Sequence, residues 1–293
     1  MATTTLTKQA IPGPDKNTPR ETGRLILAGT FALTALGVSA FWASWFASGD
    51  YASAGDACYR AFENAFPIPD GVMSMLLVAA ALGLVRRSAI GAALGLSACG
   101  MLLYLASLDT LYNLQHGAFM DWSDPGETIS KIYISLHCYA LGIWGIAAFR
   151  SARRKETVAA FRPASRLLVG TFCAVVPLGL GISSLHWFVS GQQAAPECVC
   201  VFRNAFPLAD GLVVAMALLA VADVARRRQG AVVWGLAVCG GLGFRVLIGL
   251  AFRIGNAGLF PGDAAGPVAL EAGILAATLF AARALWLLEP NPR

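Results

Sequence analysis

Eight apolar stretches govern everything else in this chain, at about residues 25–48, 70–85, 88–111, 131–149, 167–190, 210–225, 229–252 and 266–288. Most come close to the roughly 20 residues a helix needs to cross the hydrocarbon core of a bilayer. No water inside the bilayer can satisfy open backbone groups, so a spanning segment folds as a helix or as part of a closed barrel. The stretches lack the ten-residue alternation of barrel strands, which leaves helices. Hydrophobic residues make up 57% of the chain and charged residues only 13%, about half the charge of a soluble domain. The reading is an all-α, polytopic membrane protein with eight transmembrane helices.

The chain also contains itself twice. The run from Cys58 to Gly71, CYRAFENAFPIPDG, recurs from Cys198 to Gly211 as CVCVFRNAFPLADG, 140 residues later and without a gap. The register holds through Arg86 and Arg87 against Arg226 and Arg227, and through Cys99 and Gly100 against Cys239 and Gly240. Upstream, Trp45 to Gly49 matches Trp187 to Gly191 at an offset of 142. Each copy carries four spans. An even number makes both copies enter the membrane in the same direction, so an axis along the membrane normal should relate them. The expected organisation is a disordered cytoplasmic tail (1–24), a first four-helix repeat (25–149), a basic cytoplasmic linker (150–166), a second four-helix repeat (167–288) and a short tail (289–293).

Charge orients this arrangement. Of the 22 Lys and Arg residues, 17 fall in the two tails and the even-numbered links, four on the opposite side, and Arg245 within a span. The positive-inside rule then places both termini in the cytoplasm, as in a multi-pass protein of a bacterial cytoplasmic membrane. The formal charge of +5 is thus a topology signal and no sign of nucleic-acid binding. Acidic residues crowd the opposite face, which favours cations near it.

Asp70 and Asp210 occupy the same place in the two copies, each just after Phe-Pro at the start of a span. One reading is helix initiation, since Pro and a carboxylate suit the first turn. The other is a pair of carboxylates facing each other near the outer surface, because acids at membrane depth are functional candidates. Arg245 has Leu105 as its first-copy counterpart. A guanidinium does not lose its charge to escape burial, so it must find a carboxylate, and Glu271 and Asp210 are the two within expectation. The pair can be structural, or part of a site for an anion or headgroup. His137 and His186 lie in the fourth and fifth spans, as packing residues or as part of a site. No H-x-x-x-H or E-x-x-H spacing is present, and no metal is expected. No sequence motif names a cofactor.

Four cysteines lie inside spans, as small apolar packers. Cys58, Cys198 and Cys200 lie in outer loops, where an oxidising compartment permits disulfides. A bridge from Cys58 to Cys198 or Cys200 would join the two copies.

Walker, dinucleotide-binding, zincin and nucleophile-elbow motifs are absent, so nucleotide-driven and hydrolase chemistries lose ground. Three classes remain. The leading one is a carrier or binding protein for a small solute or cation, with an outward-facing polar site between the repeats. It would be built from Asp70, Asp210, Arg245, Glu271, His137 and His186. The second is a membrane enzyme acting on a lipid, quinone or isoprenoid, suggested by the aromatic outer rim. The third is a scaffold or complex subunit docking a protein partner. The bilayer is the common partner of all three.

Overall fold

A computed structural model describes residues 19–53, 55–153, 163–190, 196–226, 228, 230–259 and 265–287. It is all-helical, with no strand among the described residues. Helix α1 runs over Pro19–Ser48, so its first turns take up the last residues read from sequence as tail. A short α2 (Asp50–Ser53) and α3 (Ala57–Glu63) lead to α4 (Pro67–Val85). Asp56 caps α3, its side chain accepting the Tyr59 N–H at 2.7 Å. Pro67 and Pro69 sit in the first turn of α4, where a missing N–H leaves nothing unpaired.

The turn into α5 (Ala89–Gln115) is tight. Arg87 takes a positive φ of 57° and the Ser88 hydroxyl caps the new helix. Gly83 and Gly91 meet backbone to backbone across this turn, so neither position has room for a Cβ. In the loop to α6 (Pro125–Arg153), the Ser123 side chain and then its N–H, which Asp121 accepts at 3.0 Å, hold the Asp121 carboxyl below the usual range. Asp124 caps α6 by accepting from Gly126 and Glu127.

The second copy follows the same plan, with α7 (Pro163–Ser190), α8 (Glu197–Asn204), α9 (Phe206–Ala225), α10 (Gly230–Gly255) and α11 (Ala265–Leu287). Most of the basic link between copies lies outside the described residues. Asp223, close in sequence to the basic run Arg226–Arg228, is only 5% exposed. It lies so close to Gly230 that a side chain there would collide with its carboxylate.

Seven helical stretches among the described residues are long and apolar enough to cross a membrane, and the protein is an integral, multi-pass one. Helix α11 coincides with the expected eighth span and is not counted among the seven, which are drawn from the described residues alone. Burial sorts the helices. Within their most apolar windows, α5 is 72% buried and α10 78%, whereas the α7 window is 11% buried. Helices α5 and α10 therefore pack against each other at the centre and the others surround them. Large apolar side chains such as Leu33, Met75, Val189 and Leu279 point outward, as a lipid-facing surface requires.

The central contact is made by small residues. A Cβ on Gly100 would strike the Ala237 carbonyl, and one on Gly240 would strike the Ser97 carbonyl. Such glycines let two helix backbones touch. Where α3 packs on α8, Cys58 is disulfide-bonded to Cys198 with their Cα atoms 4.6 Å apart. Phe62 stacks on Tyr112 at 3.9 Å, and Phe202 on Phe252 at 3.8 Å. Phe66 meets Phe244 at 6.4 Å, and Tyr104 meets Phe206 at 6.5 Å.

Candidate functional site

Asp210, one of the two repeated aspartates, anchors the densest polar arrangement. It is 2% exposed on α9. One oxygen accepts the Tyr104 hydroxyl from α5 at 2.6 Å, and the other accepts the Ser184 hydroxyl from α7. Arg245, on α10, places Nε 3.5 Å from Asp210 Oδ1 and lays its guanidinium 4.0 Å over the Phe206 ring. Of the two carboxylates expected to meet Arg245, Asp210 makes the ion pair. Glu271 pairs with Arg253, Nε to Oε1 at 3.3 Å. Gly249 leaves the space in which these groups converge, since a Cβ there would come within 2.7 Å of Glu271 Oε1 and 3.2 Å of Arg245 Nη1.

A pocket of about 150 Å³ opens beside this network. Arg203, Arg245, Arg253 and Glu271 supply its charges, and Trp187 and Phe206 its rings. Arg203 sits 4.0 Å over Trp187, and among the described residues no carboxylate comes within ion-pair distance of it. Among the described residues three guanidiniums thus face two carboxylates, counting Asp210 behind Arg245, and Arg203 is the guanidinium with no carboxylate in reach. Arg245 Nε is directed at Asp210, whereas Glu271 Oε2 is buried with no hydrogen-bond partner among the described residues. Buried polar atoms are ordinarily satisfied, so Glu271 Oε2 is available to a polar guest.

The other residues singled out in the sequence lie elsewhere. Asp70 is 6% exposed in the first copy, where it accepts the Trp42 indole N–H at 2.9 Å and its second oxygen has no partner. His137 is hydrogen-bonded to Thr34 at 2.9 Å and stacks on Tyr133, tying α6 to α1. His186 is exposed on α7, outside the pocket lining. Asp210, Arg245 and Glu271 are therefore brought together, while Asp70, His137 and His186 are not. Cys200 is half-buried and outside the bridge. No group of three or more His, Cys, Asp or Glu side chains among the described residues could hold a metal ion.

Arg203, Arg253, Ser184, Trp187 and Tyr104 belong to the site and were not singled out. A position-by-position comparison of the copies would have found most of them. At an offset of 140, Glu63 becomes Arg203, Leu105 becomes Arg245, Asn113 becomes Arg253 and Lys131 becomes Glu271. At an offset of 142, Phe41 and Trp42 become Ser183 and Ser184. Ser184, which lines the pocket, and Trp42, its counterpart in the first copy, each donate to their copy's aspartate.

No family profile, curated protein or solved structure matches this chain.

Proposed function

We propose that this protein is a membrane carrier or binding protein for a small solute bearing one negative charge, held in the second-copy pocket. The observation that carries the reading is three arginines against two carboxylates around one lined space. A charge in such a setting is felt more strongly than in water, and arginine's fork suits an oxyanion. The acidic outer face argued for a cation; the charge of the pocket argues for an anion instead. Purified protein should be stabilised against heat by small monocarboxylates or phosphate, and Arg245→Gln should lose that response. Stabilisation by choline or potassium but by none of the anions would overturn the reading.

The same proposal includes eight spans in two tandem repeats of one orientation, with both termini cytoplasmic. Its support is reciprocity. The Phe62–Tyr112 and Phe202–Phe252 stacks, the Gly100 and Gly240 contacts, and the Trp42–Asp70 and Ser184–Asp210 bonds are pairs at the repeat offset. The Cys58–Cys198 bridge joins a residue to its own counterpart, which a two-fold axis passing nearby would require. Reporter fusions at the two ends test the topology, and a periplasmic or extracellular signal from either end counts against it.

A further inference from the structure

Resting on that reading, we infer that the anionic group bound in the second-copy pocket is the head of an amphiphile, which enters sideways from the bilayer between α7 and α11. The pocket wall has two chemistries. Its inner side, from α8, α9 and α10, carries the three arginines and Phe206. Its remaining side comes from α7 and α11 and includes Leu180, Leu270 and Ile274. Leu270 is 66% exposed although it lines the pocket, so the apolar edge of the cavity is continuous with the lipid-facing surface. Neighbours along both helices continue that surface, among them Ile182 on α7, 67% exposed, and Leu279 on α11, 63% exposed.

The edge that meets the lipid-facing surface is mainly aliphatic, formed by Leu180, Leu270 and Ile274 with Ser183 as its exposed polar member. An amphiphile fits both chemistries at once, its head on the arginines and its chain along Leu270 and Ile274 into lipid. The bilayer also does part of the work of capture, because it concentrates such a ligand at the depth of the mouth. The single surplus charge sets the class as a monoanion such as a carboxylate or a phosphodiester. A hydroxyl or amide near the head would have Glu271 Oε2 to donate to, the atom left without a partner.

Ser184 lines the pocket and donates to Asp210, while its first-copy equivalent, Trp42, makes the same kind of hydrogen bond to Asp70 with a far larger side chain. Ser184→Trp therefore closes the pocket and keeps a donor for Asp210.

The test uses full-length protein in phosphatidylcholine nanodiscs and radiolabelled dodecanoate, with empty nanodiscs as background. The expected result is one saturable site, not displaced by a hundredfold excess of acetate or by dodecyltrimethylammonium. Ser184→Trp should abolish it, and Arg203→Gln, a change at the pocket edge, should weaken it by about tenfold, the size of one charge-assisted contact. If acetate competes at concentrations similar to those of dodecanoate, the site faces water. The amphiphile is then wrong and the anion-binding reading stands. If neither acid binds saturably, or dodecyltrimethylammonium competes as well as dodecanoate, both fall. Dodecanoate binding that is unchanged in both folded variants would place it outside this pocket and also overturn both.

Discussion

At the scale of single residues, the ion pairs of the second copy differ in how much each supports. Asp210 accepts two hydroxyls and faces Arg245 with 2% of its side chain exposed, whereas Glu271 is 13% exposed and holds Arg253 by one oxygen. Removing one partner of a buried pair typically costs about 3–5 kcal/mol because the other charge is stranded. Asp210→Ala should therefore lower the melting temperature far more than Glu271→Ala in the same detergent. A larger drop for Glu271→Ala would mean that Arg245 relies on Glu271. The sequence narrowed the partner of Arg245 to these two carboxylates and no further. Depth in the membrane follows from position along an apolar run, but the direction a side chain faces does not. A helix that is apolar all round has no polar stripe to orient it, so His186 and Arg245 looked equally inward. Arg203 and Arg253 were hidden for another reason. Counted only as outer-side charges in a topology tally, they gave no hint that α8 and α10 turn them onto one space.

Helices α5 and α10 form the axis of the molecule, and their contact depends on having nothing where two side chains would be. Gly100→Ala and Gly240→Ala each put a methyl into a carbonyl of the facing helix. Overpacking of this kind typically costs about 1–3 kcal/mol. The same change at Gly243, where nothing lies within 4 Å, should be neutral or slightly stabilising, since alanine is the better helix former by about 1 kcal/mol. Thermal denaturation of the three variants side by side checks this. Equal stability of all three would show that α5 and α10 do not touch where Gly100 meets Ala237. Element positions were largely legible, because a bilayer allows few alternatives to an apolar helix. The short α3 and α8 were read as loop, since Phe-Pro reads as a helix start and gives no sign of the helical turns before it.

For the molecule as a whole, the two copies are held by the α5–α10 packing inside the membrane and by Cys58–Cys198 outside it. Coexpressing residues 1–158 and 159–293 as separate chains should give one band on a non-reducing gel and two after reductant. Two bands without reductant would mean that the bridge does not form. In water a cross-link acts mainly by restricting the unfolded chain. Here membrane-inserted helices would already be restricted, so its loss should change melting less than loop length alone would suggest. The duplication was plain in the sequence, but the exchange of Trp42 for Ser184 beside the repeated aspartate was not, because both read as ordinary membrane residues.

Tyr104 belongs to the first copy, yet its hydroxyl is bonded to the aspartate at the heart of the second. Gene fission would therefore not release a self-sufficient ligand-binding half. The second copy expressed alone would lack a donor that it cannot replace from its own sequence, since the residue at the matching position is Phe244. The halves of this chain are therefore mutually dependent, and two copies of the second half could not replace the first, for want of one oxygen.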